Sequence, residues 1–237
     1  MKLSQKLGKA ANPDFWSYVF YRWTGALRPS VPVAEVMKLV DLEKLEELKK
    51  KHFRGEGTVH PPKYLKYEEW VPKNLRRARD AGITPAPPKR KILDIGSGVG
   101  WFLLVARAMG HEVVGLDIDG DPVYHDMMAL LEIPRVIHTI QPYQPLPEEI
   151  QGLDLVSAHM TCFNRYKDKR HWGPDEWGFF LKDLRSRLNP GATIVLELNP
   201  RPDGSPMEPD VRRFFQSEGG RVIFGRVLFP PYQKPAA

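Results

Sequence analysis

Cysteine is nearly absent from this 237-residue chain: Cys162 is the only one, so no internal disulfide can staple the fold and no cysteine-built zinc site can form. No metal is expected. No stretch approaches the roughly 20 apolar residues of a membrane span. The N-terminus lacks the compact apolar run and cleavage site of a secretory signal, and the expectation is a cytoplasmic protein. Internal repeats and low-complexity tracts are also missing, which excludes solenoids and disordered linkers. With 42% hydrophobic residues, a chain of this length can bury a sizeable core.

Proline is not scarce, and it marks the organisation. Thr84-Pro85-Ala86-Pro87-Pro88 reads as a stiff linker between an N-terminal helical extension, residues 1–86, and a main domain, residues 87–237. Charge divides at nearly the same place. Residues 1–90 hold nineteen Lys and Arg against ten Asp and Glu, a balance of +9 that leaves −3 for the remainder. A basic leader can meet RNA, an anionic membrane surface or an acidic substrate, or simply be a solvated face.

The densest information lies between Lys91 and Asp119. Ile92-Leu93 begins a buried strand, and Gly96, Gly98 and Gly100 supply the positive φ values and missing Cβ atoms of a sharp turn into an amphipathic helix. A second strand, Val113-Val114-Gly115-Leu116, ends at Asp117, whose carboxylate oxygens can accept both hydroxyls of a ribose. The implied ligand is a nucleoside. A dinucleotide fingerprint places its third small residue five positions after the first; here Gly100 comes four after Gly96 and position 101 is Trp. Asp94, beside the turn, would repel phosphates and attract a cation.

The order Asp-x-Gly-x-Gly-x-Gly, followed by an acid seventeen residues after its last glycine, resembles the cofactor-binding motifs of class I S-adenosylmethionine (SAM)-dependent methyltransferases over roughly residues 90 to 200. Leu153-Asp154-Leu155-Val156 is similar to that family's fourth strand, and Asn189-Pro190-Gly191 with Ala192–Glu197 to its fifth. Pro174 to Leu188 reads as the helix between them, with Trp177, Leu181, Leu184 and Leu188 on one face. The resemblance implies a Rossmann-like α/β fold, a mostly parallel twisted sheet with helices on both faces. It also implies SAM as cofactor, held by Asp94, Gly96, Ser97, Gly98, Gly100, Asp117 and Ile118. Beyond a third strand at Val136–Ile140, family members often bind adenine through an acid; here Gln141 would accept the hydrogen bond and Tyr143 would flank the ring.

Elsewhere the expectations are more local. One helix is predicted over residues 33–52, and a second from Tyr64, kinked or restarted at Pro72, with Tyr64, Tyr67 and Trp70 as an aromatic stripe that lids the cofactor or simply packs in the core. A helix begins at Asp121-Pro122. The tail suggests a last helix and two closing strands so short that the sheet edge is trimmed or shared. Near the N-terminus Phe15, Trp16, Tyr18, Phe20, Tyr21 and Trp23 must bury something: the main domain, the twin subunit of a homodimer, or a lipid interface.

Methyl transfer from a sulfonium needs alignment more than a strong base. In an open α/β sheet the acceptor approaches over the carboxyl ends of the strands. His159 is the candidate base there, with Asn164 and Asn199 orienting an acceptor, and Glu197 a base if desolvation raises its pKa. Trp101, Trp172 and Trp177 would wall the acceptor, with core packing as the alternative for Trp177, and Cys162 is read as a small buried apolar residue, a nucleophile only if its thiol is activated. Thr161-Cys162-Phe163-Asn164 stands where amino-directed enzymes carry Asn/Asp-Pro-Pro-Tyr/Phe, which leaves a small-molecule hydroxyl as the expected acceptor. An RNA or tRNA methyltransferase docking through the basic leader and a catalytically silent SAM-binding protein are the alternatives; a nicotinamide dehydrogenase is disfavoured by Trp101 and Asp94.

Overall fold

A computed structural model describes residues 13–52, 62–165, 168–199, 205 and 207–233. Lys2, Lys6 and Lys9 of the basic leader, the segment after residue 52 that carries Gly55, His60 and Pro61, Tyr166, Pro200, Arg201 and the Phe15 side chain lie outside the described residues. Four helices come first: α1 (Pro13–Ala26), α2 (Val33–Met37), α3 (Leu42–Lys51) and α4 (Tyr67–Asp80). Then strands and helices alternate as β1 (Lys91–Ile95), α5 (Trp101–Ala108), β2 (Glu112–Asp117), α6 (Pro122–Leu130), β3 (Arg135–Ile137) and β4 (Leu153–Thr161). After a small hairpin of β5 (Asn164–Arg165) and β6 (Asp168–His171) come α7 (Pro174–Ser186), β7 (Leu188–Leu198), α8 (Pro209–Ser217), β8 (Arg221–Ile223) and β9 (Arg226–Phe229).

The sheet has seven strands in the order β3-β2-β1-β4-β7-β9-β8. From β3 through β7 all neighbours are parallel, while β9 runs antiparallel to both β7 and β8. This is the class I methyltransferase fold expected from the motifs. Strand order reverses between β1 and β4, the switch point at which open α/β sheets form a ligand crevice.

Strand residues alternate between two apolar clusters. Ile92, Leu155 and Val195 face α2 to α6, whereas Leu93, Val156 and Ile194 face α7 and α8. Both faces are covered, so the central strands can be apolar throughout. In α5 every residue from Trp101 to Ala106 is buried, each large side chain contributing about 1.5–3 kcal/mol. Helix α1 lies against the end of α4. A Cβ at Gly25 would sit 2.5 Å from Asp80 Oδ1, so the absence of a side chain permits that approach.

Several boundaries differ from expectation. The predicted helix over 33–52 is two helices, because Asp41 is extended (φ −73°, ψ 100°) and its side chain accepts from Lys44 N at 3.1 Å, capping a new start. Helix α4 runs through Pro72 unbroken. The donor that Pro72 lacks would have served Glu68, whose carbonyl lies in the first turn. Both closing strands are present, completing the sheet edge within one chain. The β5/β6 hairpin had no turn signature in the sequence strong enough to announce it.

Candidate functional site

The crevice is built on the turn between β1 and α5. Gly96, Gly98 and Gly100 have φ of +70°, +53° and +83°. They are not equivalent. A Cβ at Gly96 would meet Thr161 Oγ1 at 2.6 Å and one at Gly100 would meet Met128 Sδ at 2.6 Å, whereas Gly98 has nothing within 4 Å. Gly96 and Gly100 thus serve packing, and Gly98 faces the space a ligand needs.

Asp117 ties the turn to β2. Its Oδ2 accepts from Gly98 N at 2.6 Å and its Oδ1 from Ile118 N at 2.8 Å. Around Asp117 a cavity of about 510 Å³ is lined by Ile118, Gly120, His138, Thr139 and Ile140, and by Cys162, Asn164, Trp172 and Asn199 on the far side. A second cavity of about 360 Å³ lies on the other side of Gly98, lined by Tyr64, Trp70, Lys73, Asn74 and Arg77 together with Asp94, Ser97 and His159. The two share Gly96, Gly98, Tyr124, Met160 and Asn199, forming a single cleft that straddles the turn.

Met160 narrows this cleft from the end of β4. It has φ +60°, and the pairing with β7 slips between His159 and Thr161, so one bulged residue projects a half-exposed thioether over the turn. Backbone strain of this kind costs about 1–3 kcal/mol and concentrates at working sites.

Two buried ionisable groups face the cleft. Asp94 is almost fully buried, and burial pushes its carboxyl up to about 7, against the hydrogen bond from Ser157 Oγ (2.7 Å) and the nearby Arg77 charge. Placing a cation in the cleft would favour its ionised form. His159 is the second. Burial lowers its pKa to about 4, so the ring is neutral near pH 7.

The tautomer of His159 follows from its neighbour. Nδ1 lies 3.3 Å from Glu197 Oε2, and Glu197 also accepts from Arg77 Nε (3.1 Å) and Arg226 Nη2 (3.0 Å). Burial alone would raise the Glu197 pKa, but His159, Arg77 and Arg226 together hold it well below the usual range. An ionised carboxylate there can only accept, so Nδ1 of His159 carries the proton and donates. Nε2 is left as an acceptor, buried and without a partner among the described residues, on a ring that borders the smaller cavity. The ring is further fixed edge-on to Phe102, with centroids 4.5 Å apart.

Most sequence-predicted site residues therefore converge. Asp94, Gly96, Ser97, Gly98, Asp117, Ile118, His159, Asn164 and Asn199 all line the cleft, and Gly100 holds the turn beneath it. Others do not. Gln141 and Tyr143 are absent from its lining; Tyr143 packs edge-on to Phe179, and His138, Thr139 and Ile140 stand where the adenine contact was expected. Strand β3 ends at Ile137, three residues earlier than predicted, which moves the lining residues upstream. Glu197 is corrected as a base, since its neighbours lower its pKa rather than raise it. Cys162 is exposed rather than buried, and its sulfur lies 3.0 Å from Asn199 Nδ2. Trp177 is core, within an aromatic cluster of Phe163, Trp172, Phe180 and Phe215. Trp101 is buried, its Nε1 donating to Tyr64 O at 2.8 Å, so it pins the N-terminal segment beside the cleft.

Sequence reasoning missed Lys73, Asn74 and Arg77. Their spacing on α4 is the signal: Lys73 and Arg77, four apart, share the face that bears Trp70. Among the described residues no group of three or more His, Cys, Asp or Glu could hold a metal ion.

No protein-family description matches the chain, and no curated protein does. Solved structures do resemble it. DesVI of Streptomyces venezuelae matches with a TM-score of 0.49 and 14% identity, over 81% of this chain and 99% of that one. The fibrillarin pre-rRNA processing protein of Methanococcus jannaschii matches with a TM-score of 0.45 and 13% identity, over 65% of this chain and 72% of its own. The CcbJ methyltransferase of Streptomyces caelestis matches with a TM-score of 0.37 and 20% identity, over 54% of this chain and 48% of its own. These are distant likenesses of fold, and the functional reading rests on the site itself.

Proposed function

We propose that the protein is a SAM-dependent methyltransferase acting on a hydroxyl of a small-molecule acceptor. The observation that carries this reading is the cleft across Gly98, which has Asp117 at one end, the buried Asp94 carboxyl beside the turn and His159 on its wall. SAM, when bound, supplies an electrophilic methyl carbon on a sulfonium.

The residues present fit that cofactor. Asp117 offers two acceptors to a ribose, Ile118 and Ile140 offer apolar surface to a base, and Asp94 offers a carboxylate to a cation. Lys73, above the Trp70 ring at 4.3 Å, and Arg77 bring positive charge to the end where a carboxylate would lie. Tyr64, Trp70 and Tyr124 line the same cavity and would screen a bound ligand from water.

Acceptor chemistry would fall to His159, Asn164 and Asn199. Neutral His159 can take a hydroxyl proton at Nε2, and Glu197 would stabilise the resulting imidazolium through Nδ1–H, the arrangement of a general base oriented by a carboxylate. Asn199 borders both cavities and Asn164 the larger one, where each can hold the acceptor by hydrogen bonds. The test is formation of S-adenosylhomocysteine on presenting SAM with a panel of small hydroxylated acceptors. His159→Ala should abolish most turnover while SAM affinity stays near wild type; loss of SAM binding instead would move His159 to the cofactor shell and remove it as a base.

A further inference from the structure

Helix α1 turns its two faces to different environments. Tyr21 is buried, its hydroxyl donating to Asp80 O at 3.0 Å; Arg22 pairs with the Asp80 carboxylate; and Tyr18 meets Phe224 edge-on at 5.6 Å. Arg226, itself bound to Asp80 and Glu197, lies 5.3 Å from the Tyr18 ring and 5.8 Å from the Tyr21 ring. That face anchors the helix. The opposite face carries Trp16, Phe20, Trp23 and Leu27, spaced four, three and four residues apart, and they are 59%, 57%, 58% and 68% exposed. Because the inward side is occupied by a buried ion-pair and aromatic network, the helix cannot rotate to bury the stripe without breaking that network.

A groove of about 490 Å³ runs beside the stripe, with Phe20 on its wall together with Arg28, Arg90 and Arg221. Asp80 also borders it, but Arg22 and Arg226 engage its carboxylate. Arg28 donates to the backbone carbonyls of Arg79 and Asp80, which leaves its charge uncompensated. Among the described residues no carboxylate pairs with Arg90 or Arg221. The segment that bears the stripe is basic as well, residues 1–30 holding Lys2, Lys6, Lys9, Arg22 and Arg28 against Asp14 alone.

We propose that this face docks the protein onto an anionic phospholipid surface, with Trp16, Phe20, Trp23 and Leu27 entering the headgroup boundary and Arg28, Arg90 and Arg221 meeting lipid phosphates. Two tryptophans in a stripe suit the interface, where an amphipathic ring is favoured over a purely aliphatic one. The adjacent arginines complement an anionic headgroup and would repel the same arginines of a second copy. A helix lying in the plane of the membrane needs both elements, apolar area and attraction to anionic lipid. This site is remote in composition from the cleft, and its test is independent of the methyltransferase reading.

The experiment is co-sedimentation of the full chain with vesicles of phosphatidylcholine alone or mixed with phosphatidylglycerol. The protein should sediment with the mixed vesicles and not with phosphatidylcholine alone. The triple variant Trp16→Ser, Phe20→Ser, Trp23→Ser and the pair Arg90→Glu, Arg221→Glu should each weaken binding about tenfold or more, with unfolding midpoints unchanged. Should either variant misfold, quenching of tryptophan fluorescence by brominated lipid in the unaltered protein, reduced by the milder Trp16→Phe and Trp23→Phe, gives the same answer. Absence of binding to the mixed vesicles, or binding indifferent to both sets of substitutions, overturns the proposal. So does self-association that the triple variant abolishes, which would assign the stripe to a second copy, or capture of single-stranded RNA in place of vesicles.

Discussion

Ionisation of the Asp94 carboxyl is costly, and that gives the cleft a pH signature. Its folded pKa, raised to about 7 by burial, exceeds the unfolded value, so its contribution to stability is fully present below about pH 4 and is lost as pH rises through about 7. A cationic ligand reverses the preference by favouring the carboxylate. Affinity for SAM should therefore rise as pH increases from about 6 to about 8, and Asp94→Asn should flatten that profile, as measured by titration calorimetry. A parallel rise in the variant would remove Asp94 as the cation's partner. His159→Ala should lower turnover by about 10²- to 10⁴-fold, the usual worth of a positioned base. Glu197→Gln leaves Arg77 without its carboxylate and Arg226 with Asp80 alone in a largely buried setting and should cost about 3–5 kcal/mol in urea unfolding. A loss below about 1 kcal/mol would mean the network is solvated like a surface pair.

At the scale of elements, the glycine turn separates two roles that the sequence presented as one. Gly98→Val should block SAM binding while the fold survives, at a strain of about 1–2 kcal/mol for a side chain at φ +53°. Gly100→Val should instead unfold the protein more readily, because its Cβ meets Met128 and Ile133 in the core. Equal SAM affinity in Gly98→Val and wild type would make the turn merely structural. The strand–turn–helix–strand unit from Lys91 to Asp117 was legible because local chemistry dictates it: apolar strands, glycines at positive φ, and an acid at a strand end. The break at Asp41 was hidden because residues 33–52 keep a helical apolar rhythm on both sides of a cap. Gln141 and Tyr143 were misplaced because the direction of a loop depends on where its strand ends, which tertiary pairing decides. The bulge at Met160 and the partnership of His159 with Glu197 are likewise products of β4–β7 register, invisible in either strand alone.

For the whole molecule, helices α2 to α4 share an apolar cluster with the sheet face; α4 supplies Lys73, Asn74 and Arg77 to the cleft, and the segment before it supplies Tyr64. Ligand binding should consequently stabilise the entire fold. SAM at about a hundred times its dissociation constant should add about 2.7 kcal/mol, read as a concentration-dependent rise in the unfolding midpoint. Asp117→Ala should erode that rise, because it removes ribose acceptors worth about 1–3 kcal/mol and frees the Gly98 and Ile118 amides it now holds. Among the described residues no helix is long and apolar enough to cross a membrane. The most direct test of the central claim is isothermal titration of the full chain with SAM, S-adenosylhomocysteine and NAD. Micromolar binding of both adenosyl ligands with none of NAD is the predicted result; binding of NAD, or silence toward SAM at every pH tried, would contradict it.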